Sequence, residues 1–129
     1  MKKTLSILLC LFALGIFSVF AEDFNYNFTI RHYRYGDYSI SDFNTKQVNG
    51  SGYISLDDDG NAYVTISCNG TNKTFNLSSS QILSVNDSNG LQIVYRYGNG
   101  EVHVDITQNG VSISQFIGKR FWVWKEATI

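Results

Sequence analysis

Two histidines, a run of three aspartates and one cysteine beyond residue 21 are the side chains of this chain best suited to chemistry. His103 lies in Glu101-Val102-His103-Val104-Asp105, an alternating run that reads as a strand. With Asn99-Gly100 as a two-residue hairpin turn, His103 falls opposite Arg96. Asp105 is then diagonal to Arg96 and opposite Val94, which makes a polar cross-strand cluster on the outward face. No serine or cysteine is brought beside His103, so nucleophilic catalysis lacks its activated partner. His32 is far away in sequence, and nothing in the spacing joins the two imidazoles in a metal site. Asp57-Asp58-Asp59-Gly60-Asn61 offers the oxygens that calcium takes. With Gly60 at the sixth loop position, however, Ile66 would stand where the bidentate acid belongs. A tight turn accounts for the same residues. The expectation is a protein with no catalytic residues, no metal and no cofactor, hence not an enzyme: hydrolysis would need two converging acids or an activated nucleophile.

Binding residues are a different matter. Gln115 falls on the inward parity of its strand between Ile113 and Ile117, and a buried amide requires partners. Tyr33 and Tyr35 belong to a Tyr-Arg-Tyr-Gly motif at residues 33–36 that recurs at 95–98, and Trp122 and Trp124 share one face of the last strand. Flat rings with polar tips suit a sugar, a small ligand or a protein contact, and they also suit a core. Gln115, Trp122, Trp124, Tyr33 and Tyr35 are therefore the candidate ligand-binding residues. Cys68 shares the inward parity of Ala62, Val64 and Ile66 and reads as a buried, inert thiol.

The elements that position these residues are strands. Residues 60–70 align without gaps on residues 100–110, and each copy is one strand between two turns. Asn69-Gly70 as a type I′ turn pairs Cys68 with Thr71, Ile66 with Lys73, Val64 with Phe75 and Ala62 with Leu77. A three-residue loop Asp58-Asp59-Gly60 pairs Leu56 with Ala62 and Ile54 with Val64. In the second copy, Asn99-Gly100 pairs Tyr97 with Val102, Tyr95 with Val104 and Ile93 with Ile106. Asn109-Gly110 then pairs Ile106 with Ile113 and Val102 with Ile117. Two three-stranded units result, residues 52–77 and 91–117. A first strand starts at Phe24 and switches parity at a bulge near Arg31-His32; a last strand, Arg120 to Lys125, is apolar on both faces. Ser39 to Gly50 and Ser78 to Gly90 read as polar connections, the latter with room for a short strand near Ile82-Leu83. About eight antiparallel strands with one inward face predict an all-β domain, a small β-barrel or else a two-sheet β-sandwich.

Residues 1–21 carry the pattern of a secretory signal peptide: Lys2 and Lys3, an apolar run from Leu5 to Phe20, and small residues at Val19 and Ala21. This predicts export to the periplasm or the extracellular space, with residues 22–129 as the all-β domain. Without Lys2 and Lys3 the balance is eight basic against eleven acidic residues, which disfavours nucleic acid, and no later stretch is apolar enough to span a membrane. A single remaining cysteine excludes a disulfide within the domain, so stability must come from packing. Six Asn-x-Ser/Thr sequons, at Asn27, Asn49, Asn69, Asn72, Asn76 and Asn86, would be glycan acceptors in a eukaryotic host, but such motifs also arise by chance in an asparagine-rich chain. The functional expectation is an exported, non-enzymatic binding protein. Its partner is a small ligand inside the barrel, or a glycan or protein on an aromatic surface. The alternative is a protein-interaction or inhibitor module of the cell envelope that uses the C-terminal Trp strand.

Overall fold

The alternation of apolar and polar residues becomes a single antiparallel sheet curled into a half-barrel, seen in a computed structural model that describes residues 23–37 and 42–126. Residues 1–21, read above as having the pattern of a signal peptide, lie outside the described residues. In chain order the strands are β1 (Phe24–Asp37), β2 (Asp42–Leu56), β3 (Ala62–Cys68), β4 (Thr71–Leu77), β5 (Ile82–Asn86), β6 (Leu91–Tyr97), β7 (Gly100–Thr107), β8 (Gly110–Ile117) and β9 (Arg120–Lys125). A 3-10 turn, Ser79–Gln81, precedes β5. Their order across the sheet is β4-β3-β2-β1-β9-β8-β7-β6-β5, so the chain's last strand is central and β4 and β5 form the two edges. All neighbouring strands run antiparallel. The described strands thus number nine rather than eight and belong to one sheet, not the two of a sandwich.

The inward face carries the core. Phe28, Ile30, Ile54, Val64, Ile66, Phe75, Ile93, Tyr95, Val102, Val104, Ile113 and Trp124 are all buried in one cluster. Removing such side chains from water contributes about 1.5–3 kcal/mol each, which is how the described residues, whose one cysteine is free, hold together. Across the hollow of the sheet, Phe75 on edge strand β4 meets the rings of Tyr97 at 5.3 Å and Trp124 at 6.2 Å. Tyr95 on β6 donates its hydroxyl to the Gly60 carbonyl at 2.8 Å. These contacts close the curl without a backbone ladder between the edges. At the start of β1, the Tyr26 hydroxyl donates to Glu126 Oε2 at 2.7 Å. The other oxygen of Glu126 accepts from the Val111 amide at 3.0 Å, fastening the residue after β9 to β1 and β8.

The first unit pairs as its turns require: Cys68 with Thr71, Val64 with Phe75, Leu56 with Ala62, with Asn69 and Gly70 both at positive φ (56° and 73°). The second unit keeps its inward face but slides by two residues. Tyr95 faces Val102, Ile93 faces Val104, Val104 faces Ile113, and Val102 faces Gln115. The turn is Gly98-Asn99, with Gly98 at φ 57°, the first-position glycine of a type II′ hairpin. Gly100 already sits in the ladder opposite Tyr97, where a Cβ would collide with the Phe116 carbonyl. Two glycines competed for one turn, and the second was required by close approach. Likewise Thr107 faces Gly110, so Gln108-Asn109 forms the next turn. A two-residue slip preserves the face, which is why the apolar pattern could not report it.

The first strand bulges where expected: Ile30 faces Gly50 and His32 faces Gln47, and the inward parity passes from Ile30 to Tyr33. Beyond the bulge β2 extends back to Asp42, so Ser39 to Gly50 is largely strand rather than a polar connection. Its exposed Thr45, Lys46 and Gln47 pair with the outer half of β1, beyond the core, where alternation carries no apolar signal. On the inner half, Gly52 faces Phe28, whose ring lies where a side chain would stand: an added Cβ would come 2.8 Å from Phe28 Cε1.

Gly52→Ala is expected to lower stability by about 1–3 kcal/mol through overpacking against Phe28, read from the urea midpoint. Burial, then the bond to Glu126 and its charge, push the Tyr26 hydroxyl up to about 12. Because ionisation is disfavoured in the folded state, this contribution is whole below pH 10 and is lost as pH rises toward 12. Tyr26→Phe should accordingly lose less stability than the unsubstituted protein between pH 10 and 12 in denaturant titrations at stepped pH.

Candidate functional site

The five candidate residues come together on the concave face in two adjacent rows that cross three strands. In one row Gln115 of β8 stands opposite Trp122 of β9, which stands opposite Tyr35 of β1. In the next row Ile113, Trp124 and Tyr33 follow in the same order. The rows pack ring against ring, Tyr35 to Trp122 at 5.6 Å and Tyr33 to Trp124 at 6.1 Å. Depth separates the two tryptophans. Trp124 is 2% exposed and belongs to the core, whereas Trp122 is half-buried at its margin. Both edges of β9 are paired, by β1 and β8.

Two cations complete the arrangement, and neither was singled out by the sequence. Lys73 reaches in from β4 across the curl. Its ammonium donates to Gln115 Oε1 at 3.0 Å and sits 4.6 Å from the Trp122 ring centroid and 5.3 Å from that of Trp124. Arg120 at the start of β9 places its guanidinium 5.0 Å from the Trp122 ring and 5.8 Å from that of Tyr35, and its Nε donates to the Tyr35 hydroxyl at 3.3 Å. Rings with a negative face hold both cations beside one indole. Asp37 stands opposite Arg120 in the β1–β9 ladder. Lys73 is held below the ordinary lysine range by burial first and by the charge of Arg120 second. Burial also raises Tyr33, with Cys68 and Tyr35 adding to the shift. Gln115, 6% exposed, thus finds the partner that its inward position demanded.

A signal for Lys73 was present. Pairing Ile66 with Lys73 through the Asn69-Gly70 turn puts a lysine on the inward parity, a costly place for a charge with no purpose. Arg120 shares the parity of Trp122 and Trp124 in the same way. That Lys73 meets Gln115, 42 residues away, depends on the curl alone.

The outward histidine cluster is rearranged by the two-residue slip. His103 faces Val94 rather than Arg96, and Asp105 faces Gln92; Arg96 faces Glu101. The His103 ring bonds Glu101 Oε1 at 2.9 Å and packs on Phe116 at 4.6 Å. Ser114 stands opposite His103, yet among the described residues no hydrogen bond joins that ring to a serine. Burial raises Asp105 above the usual carboxylate range, with His103, Gln92 and Lys125 opposing. His32 lies on β1, three strands from β7 in the sheet order, about 14 Å at the usual strand spacing. In the Asp57 loop the carboxylate serves the turn. Asp57 Oδ1 accepts from the amides of Asp59 and Asn61, each at 2.9 Å, and Oδ2 accepts from the Asn61 amide group at 3.0 Å. Cys68 is buried, as its parity required.

No protein-family model, curated protein or solved structure matches this chain. Among the described residues no helix is long and apolar enough to cross a membrane.

Arg120→Gln is expected to raise the Lys73 pKa toward the ordinary lysine value, because removing the neighbouring positive charge favours the ammonium. Titration of the lysine side-chain carbon signals by NMR checks this, with Lys73 assigned by its disappearance in Lys73→Met.

Proposed function

We propose that this chain is an exported, non-enzymatic binding protein of the periplasm or extracellular space that takes a small ligand at the concave face of its half-barrel. One observation carries the reading: Gln115, Trp122 and Tyr35 stand side by side across three strands, with Lys73 and Arg120 against the same indole. A half-buried ring wall with a few oriented polar groups is what a ligand site requires, with area for affinity and directional bonds for orientation. The amide of Gln115 is oriented by Lys73: with Oε1 occupied, its NH2 group is left to donate elsewhere.

The C-terminal Trp strand is better suited to lining this site than to docking a protein. Its two edges are already paired and Trp124 is core, so neither backbone nor the deeper ring is offered to a partner. Catalysis has little support, because His103 with its neighbouring acids stands on the outer face, the Asp57 carboxylate serves a turn, and the carboxylate in line with the ring wall, Asp37, stands opposite Arg120.

Native mass spectrometry of the protein purified from its own secretion pathway is the test. The expected result is an added small-molecule mass that is lost in Trp122→Ala and retained in Tyr63→Ser, a change at an exposed outward position. An unliganded mass from the native source, or an adduct indifferent to Trp122, rejects this site.

A further inference from the structure

A half-buried cation on the inward face of a sheet needs a reason, and beside Lys73 a second, exposed cation, Arg120, stands against the same indole. Lys73 is half-buried and pays desolvation for its charge, while Arg120, the charge that acts on it, is of the same sign. The neutral partners already present, Gln115 Oε1 and the faces of Trp122 and Trp124, lessen the cost without cancelling either charge. Apart from the Asp37 carboxylate opposite Arg120, the hydrogen-bonding capacity gathered around the indole is that of donors. An ammonium and a guanidinium only donate, the Gln115 NH2 group donates, and Tyr35, whose oxygen accepts from Arg120, keeps its own proton to give.

We propose that Lys73 and Arg120 are the anion seat of the concave site, and that its ligand is a small organic anion presenting a carboxylate, sulfate or phosphate on a ring-shaped body. This rests on the ligand-binding reading above and narrows it to a chemical class. An oxyanion accepts from each of the donors gathered there, and charge-assisted bonds to lysine and arginine are roughly twice as strong as neutral ones. The anion also screens the like charges from each other, so part of the binding energy is repulsion relieved. Trp122, Tyr35 and Tyr33 supply the apolar wall for the ring that carries it. Asp37, opposite Arg120, sets a carboxylate at that end of the row, so the seat centres on Lys73.

Two probe pairs matched in shape and differing in charge test the class: glucuronate against glucose, and benzoate against benzamide. Both tryptophans of the chain stand at the site, so intrinsic fluorescence reports on it, and the side-chain amide signal of Gln115 in a two-dimensional NMR spectrum localises the effect. The expected result is that at least one anion shifts both signals with a Kd of about 1 mM or tighter while its neutral counterpart binds at least tenfold more weakly. Affinity should fall with added salt and drop about tenfold or more in Lys73→Gln and in Arg120→Gln, the latter an exposed position where misfolding is not a concern. Lys73→Arg should retain the preference for the anion. Whether glucuronate or benzoate responds tells a sugar acid from an aromatic acid. A neutral probe that binds as tightly as its anion overturns the anion seat and leaves the ligand site standing. Silence of Gln115 and the tryptophans toward all four probes at about 20 mM overturns both readings, as do shifts scattered over exposed lysines and arginines.

Discussion

The contact on which the rest depends is that of edge strand β4 with the far side of its own sheet. Phe75 reaches Tyr97 and Trp124 across the hollow, and Lys73, two residues earlier, reaches Gln115. No backbone ladder joins β4 to β5 in the described sheet, so apolar burial supplies this closure. A flat nine-stranded sheet with one apolar face would leave that face in water; curling lets the face bury itself. Twist favours the curl, and the inward rings of Phe75, Tyr95, Tyr97 and Trp124 fill the space it creates.

That closure also sets the character of the concave site. Polar groups on an inward face are tolerated where the hollow opens to water or where they are paired: Arg120 is exposed, Lys73 is half-buried, and the buried Gln115 accepts from Lys73. Below them lie Phe75 and Trp124, so the rings are held by the core and the charged groups are held by the rings. Rigidity comes from position: Trp122 belongs to β9, the last strand made but a central one in the sheet, locked between β1 and β8. A wall built on a central strand can bind without reorganising, which spares a ligand the cost of ordering loops.

The outer face has a different logic. Many of its polar side chains pair locally, as in His103 with Glu101 or Ser55 with Asn25. A slip of two residues moved His103 from Arg96 to Val94 without disturbing the core, because the inward face repeats every two residues and is blind to such a slip. The outward neighbours, which differ at every step, are not. Polar cross-strand clusters are thus the part of a β protein most easily misplaced when two glycines compete for one turn.

Much of the fold was legible from local chemistry. Asn69-Gly70 and Asp58-Asp59-Gly60 admit one register each, so Ile66 with Lys73 and Leu56 with Ala62 followed from turn geometry and alternation. The bulge near Arg31 was visible as a parity switch, and with it the inward setting of Tyr33 and Tyr35. Tertiary structure alone decided the rest. It chose a single curled sheet, extended β2 into a segment with no apolar pattern, and slid the second unit because Gly100 was needed for close approach to Phe116. It also carried Lys73 over to Gln115 and placed Arg120 against the same indole. Alternation and turn types act between neighbouring strands and are written in the chain. Contacts across the hollow depend on how far the sheet curls, a property of the whole packed core that no local run of residues encodes.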